Sequence, residues 1–222
     1  MRTISNMLDL LGEKYNFKII TRDRDLLDNK PYENIKTNQW NDAKNCKVYY
    51  KSTKPSFITD HRSLFTGLSS LFTSHSSLIT VINDCVFDTY YLNSIFDFEY
   101  SIKIILLHKL KLIPQKEILL APRGELLHGA LSLKSFKKKL FLSLVKMLRL
   151  YKNVIWHAST EYEEKEIKNI FGKNIRSKIA LDAPNYNLRQ PKERTHKKEK
   201  GKLKILYISS ITRKKNLKFA IE

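Results

Sequence analysis

The sequence has few of the residues that cross-link, bend or disorder a chain. Cys46 and Cys85 are its only cysteines, too few for a disulfide framework or a structural zinc site. Six glycines and six prolines in 222 residues exclude collagen-like and low-complexity scaffolds. No apolar run approaches the roughly 20 residues that cross a bilayer, and the N-terminal residues do not resemble a signal peptide. We therefore expect a cytoplasmic protein that meets a membrane only at its cytoplasmic face.

Acidic residues are also scarce, since 22 Asp and Glu stand against 41 Lys and Arg and give a formal net charge of +19. Such a charge favours phosphate-rich partners: nucleic acid, anionic lipid headgroups or a nucleotide diphosphate. Charge alone does not choose among them. The hydrophobic content of 42% is sufficient for one substantial globular core.

Apolar residues alternate between strand-like and helix-like spacing along the chain. Strands are predicted at Phe17–Thr21, Cys46–Ser52, Leu78–Ile82, Thr89–Leu92, Glu117–Pro122, Asn153–Ala158 and Ser177–Pro184. Helices are predicted at the first eleven residues, His61–Phe72, Phe96–Leu112, the basic amphipathic segment Leu131–Lys152 and the residues from Thr160 to about Gly172. This alternation predicts an α/β fold, with a Rossmann-like parallel sheet, helices on both faces and ligands outside the carboxyl ends of the strands.

Three further patterns describe the segments between and after these elements. The residues between Thr21 and Trp40 are polar and without periodicity, so they predict a long loop. Within Leu131–Lys152, one apolar stripe contains Phe136, Leu140, Leu144 and Met147. From residue 185 the composition becomes basic and polar, and a new apolar strand follows at Lys204–Ser210. We therefore predict a domain at 1–184, a basic linker at 185–202 and the start of a second domain at 203–222.

Three segments carry a resemblance to a known family. They are LLAPRGELLHGALSLKSFKKKL (Leu119–Leu140), VIWHASTEYEEKEI (Val154–Ile167) and KILYISSITRKKNLKFAIE (Lys204–Glu222). In this order they resemble the retaining "group 1" glycosyltransferases, whose GT-B fold has two facing Rossmann-like domains. The resemblance implies that residues 1–184 form the acceptor-side domain without its first strand and that residues 203–222 begin the nucleotide-sugar donor domain, so that the chain is truncated at both ends.

The resemblance also implies a set of site residues. The acceptor-side cleft is predicted to include Arg123, Gly124, Glu125, His128, Ser159, Thr160 and Glu161. Glycine lets a backbone approach a ligand, and an arginine at the carboxyl end of a strand can bind phosphate or sugar oxygens, although a plain helix-entry turn with an exposed arginine is the alternative. His128 contacts an acceptor hydroxyl or is simply a surface histidine. Thr160 first caps a helix, and His157 is predicted to be a hydrogen-bonded core histidine.

The tail resembles the start of a donor domain, in which an arginine directly after the strand and a lysine five residues later hold the donor diphosphate. Lys215 matches the lysine, whereas Ser210 stands at the arginine position, so Arg213 is the candidate substitute. A solvated basic loop is the alternative interpretation. No metal-binding motif is apparent, and we expect no metal or other cofactor besides a nucleotide-diphosphate sugar as the donor substrate.

The function that the resemblance implies is transfer of a sugar from a nucleotide-diphosphate sugar to a glycan or lipid-linked acceptor, as in surface polysaccharide biosynthesis. The catalytic residues are unknown. Because transfer needs both domains, we expect this chain alone to be inactive and a separately encoded donor domain to be a partner. The alternative is a non-catalytic module that binds the acceptor or the inner membrane surface through Leu131–Lys152, which is also explained by an ordinary surface helix. Nucleic acid is not expected as a partner, because the aromatic residues lie mostly inside apolar segments.

Overall fold

The structure is a computed structural model that describes residues 2–25, 28–53, 75–132, 135–183 and 201. The chain divides into two compact units, Met1–Pro184 and Asn185–Glu222. The predicted helix at His61–Phe72, the linker apart from Gly201, and the strand at Lys204–Ser210 lie outside the described residues. The assignment of the three parts to domains of a glycosyltransferase stays a prediction.

The N-terminal part of the first unit contains one helix and a small mixed sheet. Its elements are α1 (Arg2–Leu11), β1 (Phe17–Arg22), β2 (Trp40–Ala43) and β3 (Cys46–Lys51). The strand order is β1-β3-β2, with β1 parallel and β2 antiparallel to β3. The sequence predicted β1 and β3 but not β2, which lacks apolar alternation. β2 is stabilised by pairing with β3, where the Trp40 ring packs edge-on at 5.5 Å from the Tyr49 ring.

The rest of the first unit is a parallel sheet with helices between its strands. Its strands are β4 (Thr89–Asn93), β5 (Glu117–Ala121), β6 (Val154–Ala158) and β7 (Arg176–Ile179). Its helices are α2 (His75–Asn83), a π-helix (Phe98–Ile102) continuing into α3 (Lys103–Lys109), α4 (His128–Leu131), α5 (Ser135–Met147) and α6 (Glu161–Phe171). The strand order β4-β5-β6-β7 is all parallel, so the predicted α/β class with a parallel sheet is confirmed for these four strands.

Two predictions are corrected by the structure. The run Leu78–Ile82 was predicted as a strand and lies in α2, where buried Leu78 and Ile82 are four residues apart on one helical face. A short apolar run does not distinguish a strand from a buried helix, which explains the error. The segment Leu131–Lys152 is not one helix, because α4 ends at Leu131 and α5 begins at Ser135.

The core of the first unit lies around the central strands of the parallel sheet. Leu120 on β5 and Trp156 on β6 are completely buried, and Phe141, Leu142 and Val145 form the buried face of α5. The opposite face of α5 is also apolar, and Phe136, Leu140 and Met147 of the predicted stripe are exposed. No described helix is long and apolar enough to span a membrane, α5 being the longest with 13 residues.

β1 of the first sheet and β4 of the second sheet run in the same direction. Near the start of β1, Lys18 Nζ donates to the carbonyl oxygen of Val86 at 3.4 Å, just before β4. At the end of β1, Arg22 pairs with Asp97 at 3.0 Å, just after β4. The carboxyl ends of β1 and β4 therefore lie at the same edge, where ligands bind in open α/β sheets.

Candidate functional site

A cleft lies at the carboxyl ends of the parallel strands, in the position that the fold class predicts for a ligand. Its volume is about 490 Å³, and its described lining residues are Thr3, Ile4, Asn93, Arg123, Gly124, Ser159 and Asp182. The end of β4 and the loops after β5, β6 and β7 each contribute to this wall, and α1 contributes Thr3 and Ile4. The structure therefore brings three predicted residues, Arg123, Gly124 and Ser159, into one cleft.

Arg123 is the centre of this wall, and every nitrogen of its guanidinium group has a partner. Nε donates to Asn93 Oδ1 at 2.9 Å, and Nη2 donates to the Tyr91 hydroxyl at 2.8 Å. Nη1 forms an ion pair with Asp182 Oδ1. The Arg123 side chain is 19% exposed and that of Asp182 is 44% exposed. Arg123 thus links the ends of β4 and β7 instead of standing free as a ligand for phosphate.

Three residues near the cleft, in the loops after β4 and β5, have left-handed backbone conformations. Arg123 has φ +54° and Gly124 has φ +73°, and Ser94 after β4 has φ +96°. A β-carbon on Gly124 would come no closer than 3.4 Å to Leu127, so its backbone angle, and not a lack of space, favours glycine there. Such conformations cost a non-glycine residue about 1–2 kcal/mol each, and they concentrate at functional sites.

Glu163 fixes the loop after β5 to the loop after β6. Its buried carboxylate accepts hydrogen bonds from Gly124 N at 2.6 Å, Ser159 N at 2.8 Å and Ser159 Oγ at 2.7 Å. Thr160 Oγ1 accepts from Glu163 N at 3.1 Å, which confirms the predicted helix cap. In a capping box the Glu163 carboxylate would accept from Thr160 N, but here it binds Ser159 and the distant Gly124.

Glu125 has a similar connecting role on the other side of the loop. Its carboxylate accepts from Ser94 Oγ at 2.8 and 2.9 Å and from Ile95 N at 2.7 Å. These bonds direct Glu125 toward the loop after β4, and it is not among the residues that line the cleft. Glu125 therefore positions the Arg123 loop.

Tyr91 and His157 form a hydrogen-bonded chain behind Arg123. The Tyr91 hydroxyl lies 2.6 Å from His157 Nδ1, and His157 Nε2 lies 2.8 Å from the carbonyl oxygen of Ala180. Because a carbonyl only accepts, Nε2 carries the proton and Tyr91 donates to Nδ1. Burial raises the pKa of Tyr91, and the nearby Arg123 opposes the rise. His157 is hydrogen-bonded through both ring nitrogens, as predicted, but it is half-buried behind Arg123 and does not belong to the core.

The remaining predicted residues lie apart from this cluster. His128 and Glu161 are exposed at the first residues of α4 and α6, and Thr160 caps α6. In the described ranges, none of these three side chains contacts Arg123. Arg213 and Lys215, the predicted diphosphate ligands, lie outside the described residues.

Sequence reasoning missed three residues of the site: Tyr91, Asn93 and Asp182. Asn93 ends β4 and Asp182 follows β7, so their place after parallel strands was the signal that could have found them. Tyr91 had no such signal, because alternation along a strand does not show which hydroxyl meets a residue on another strand. Within the described part of the chain, no three His, Cys, Asp or Glu side chains converge as metal ligands do.

Comparison of the chain with family models, curated proteins and solved structures finds no match in any of the three. The relation to group 1 glycosyltransferases therefore remains a prediction from the sequence motifs. The geometry of the cleft supports a site independently of such matches.

Proposed function

We propose that this chain is the acceptor-side part of a retaining GT-B glycosyltransferase and that the cleft at the ends of β4–β7 binds the acceptor, a glycan or a lipid-linked sugar. The observation that carries the proposal is the position of the Pro-Arg-Gly turn. Arg123 and Gly124 line a cleft at the carboxyl edge of a parallel sheet, and two glutamates, Glu125 and Glu163, hold their loop to its neighbours. The motif that carries the family resemblance is thus also the most constrained loop of the cleft.

Sugar transfer explains why a preformed wall is useful. The bond between the anomeric carbon and the diphosphate of the donor breaks, a bond to an acceptor hydroxyl oxygen forms, and the hydroxyl proton is released. Both substrates must be held in contact for this step, so a donor domain must also take part. Under this proposal residues 203–222 begin that domain, Arg213 and Lys215 contact the diphosphate, and basic groups with helix N-termini stabilise the leaving group without a metal.

A glycan array probed with the labelled full chain tests the proposal. We expect retention on a subset of glycans, and an Arg123→Ala variant should bind at least about tenfold more weakly, because Asn93, Tyr91 and Asp182 lose their common partner. Arg176→Ala is the matched control, since the exposed Arg176 pairs with Glu117 at the opposite end of the sheet. Retention of no glycan, or equal binding by Arg123→Ala, would refute the proposal.

One observation favours a second role, attachment to the cytoplasmic surface of a membrane through α5. Phe136 and Met147 are 79% and 73% exposed and share one helical face with exposed Leu140. Exposed Lys139 and Lys146 lie beside this face. An apolar stripe flanked by lysines matches the interface of an anionic bilayer, and the role is compatible with a lipid-linked acceptor.

Co-sedimentation with vesicles of phosphatidylcholine and phosphatidylglycerol tests this second role. We expect binding at low salt that is reduced at least about fivefold in a Phe136→Ser/Met147→Ser variant. Val86→Ser is the control, because Val86 is an exposed apolar residue in the loop before β4. Equal sedimentation of all three proteins would exclude α5 as the membrane-binding element.

A further inference from the structure

The described wall of the cleft carries one positive and one negative side chain, and they are paired with each other. Arg123 is the only cation among the described lining residues, and Asp182 is the only anion. Asp182 is more than twice as exposed as Arg123. An entering ligand therefore meets the Asp182 carboxylate first, and this carboxylate already neutralises the Arg123 guanidinium group.

The backbone around Asp182 is fixed, so the carboxylate has a defined position. Ala180 N donates to the carbonyl oxygen of Ala158 at 3.0 Å, and the Ala180 carbonyl accepts from His157. On the other side of Asp182, the carbonyl oxygen of Ala183 accepts from Asn6 Nδ2 at 2.9 Å. Hydrogen bonds thus hold the chain on both sides of the residue, and Arg123 holds its carboxylate.

A hydrogen-bond donor lies on the same wall and binds the same guanidinium group. Asn93 Oδ1 accepts from Arg123 Nε, and the exposed Asn93 side chain keeps an amide nitrogen that has no partner among the described residues. Asp182 accepts from Arg123's Nη1 through Oδ1 and has a second carboxylate oxygen. The hydroxyl groups of a sugar both donate and accept, so they can donate to Asp182 and accept from Asn93, whereas a carboxylate only accepts and a phosphate brings a negative charge to Asp182.

We propose that the cleft selects a neutral, hydroxyl-bearing group of the acceptor, with Asp182 and Asn93 as its hydrogen-bonding contacts and Arg123 as the positioning residue that holds both. This inference rests on the proposed function, and it deepens it by assigning the chemical class of the bound group. It also replaces the expectation that Arg123 itself binds phosphate oxygens. An anionic group is disfavoured because Asp182 repels it and already neutralises the cation.

Removal of the Asp182 carboxylate should allow the cleft to bind an anion. We would titrate inorganic phosphate into the full chain at constant ionic strength and follow the Gly124 and Ser159 amides by ¹⁵N NMR. Asp182→Ala should bind phosphate at least about tenfold more tightly than the wild type, because the guanidinium becomes available. Asp42→Ala changes the net charge equally on the distant β2 and should behave as the wild type.

Asp182→Asn provides the same test if the alanine variant does not give a folded spectrum, since it keeps the shape and removes the charge. Phosphate binding by the wild type as tight as by these variants would overturn the inference, and so would absence of any gain in a folded variant. A second titration uses methyl glycosides as neutral ligands. They should shift the NMR signals of the same two amides in the wild type, and Asp182→Ala should bind them at least about tenfold more weakly.

The glycan array separates this inference from the proposed function. Retention of neutral glycans agrees with both. Retention of only phosphorylated or carboxylated glycans would overturn this inference and leave the proposed function in place. Retention of no glycan would count against the proposed function, whereas the phosphate titration depends only on the pairing of Arg123 with Asp182.

Discussion

Two clusters of charged and polar side chains lie at the carboxyl edge of the sheets, and they differ in the solvent exposure of their side chains. The cleft cluster consists of Tyr91, Asn93, Arg123, His157 and Asp182. The junction cluster, where the two sheets meet, consists of Arg22, Lys51, Asp97, Glu99 and Lys103. The cleft cluster has exposed members and lies in loops with left-handed residues, whereas the junction cluster has a completely buried lysine. Charge at strand ends is thus common to both. The more exposed Asp182, at 44% against 33% and 26% for Arg22 and Asp97, distinguishes the candidate site.

The junction cluster connects β3 to the π-helix after β4. Glu99 accepts from Lys51 and, at 3.3 Å, from the fully buried Lys103. Burial raises the pKa of Glu99, but the two lysines outweigh it, so that the pKa lies below its ordinary value. The guanidinium of Arg22 pairs with Asp97 and lies 5.6 Å from the centre of the Tyr100 ring. These contacts join the two sheets and support a structural role.

The largest effect should come from removal of the carboxylate in the junction cluster. Glu99→Gln leaves Lys103 buried without a counter-charge, and we expect the free energy of unfolding to fall by about 3 kcal/mol. Urea denaturation followed by circular dichroism measures the change. Asp182→Asn, the equivalent change in the cleft cluster, should cost no more than about 0.5 kcal/mol, because Asp182 is partly exposed.

Two further variants show whether the burial of a charge causes the loss of stability in Glu99→Gln. Lys103→Met removes the buried charge and keeps a similar volume, so it should cost less than Glu99→Gln. Asp42→Asn breaks a solvent-exposed pair with Lys47, 3.7 Å long, and should change stability by less than about 0.5 kcal/mol. Equal losses in Glu99→Gln and Asp182→Asn would remove the distinction between the two clusters.

A third aspartate–arginine pair, Asp23 with Arg24, should give a smaller, pH-dependent effect. Asp23 is buried after β1, with Arg24 at 2.9 and 3.0 Å and Thr53 as partners. The hydrogen bond from Arg24 lowers the pKa of Asp23 from 3.8 to about 2, although burial opposes the change. A lowered folded-state pKa adds stability above pH 3.8, and this stability is lost as the pH falls toward 2.

The test is the urea midpoint measured between pH 5 and 2 for the wild type and Asp23→Asn. We expect the variant to be less stable by about 1–2 kcal/mol at pH 5 and the difference to shrink toward pH 2. Asp182→Asn is the matched control, and it should show a smaller change. A pH-independent difference for Asp23→Asn would show that its cost comes from lost packing and not from the charge.

The sequence was informative about the cleft and uninformative about the junction, for a physical reason. Strand-helix alternation predicted β4–β7, and the turn after β5 pointed to Arg123 and Gly124, because these features are local. The contact of Gly124 with Glu163, and that of Arg123 with Asp182, join residues 39 and 59 positions apart. Side-chain partners at such separations depend on strand order and register, which periodicity does not define. β2 was missed for the same reason, since it exists through its pairing with β3.

The smallest effect concerns backbone strain in the loop after β4. Ser94 has φ +96°, and its hydroxyl donates to Glu125 and accepts from Phe96 N and Asp97 N at 3.3 and 3.2 Å. Ser94→Ala loses these bonds and keeps the strain, so it should cost about 1–2 kcal/mol. Ser94→Gly loses the same bonds but relieves the strain, and it should be about 1 kcal/mol more stable than the alanine variant.

The difference between the two Ser94 variants therefore isolates the backbone from the side chain, because both lack the hydroxyl. Urea midpoints in one buffer measure it, and equal midpoints would show that the Ser94 conformation stores no strain. Asn34→Gly is the matched control: its φ is +60°, which asparagine adopts readily, so glycine should bring little gain. A gain at Ser94 without one at Asn34 would mean that the loops of the cleft are held in place against their backbone preference. Glu125 and the hydroxyl of Ser94 would then be the groups that hold them, as expected of a wall whose shape matters for binding.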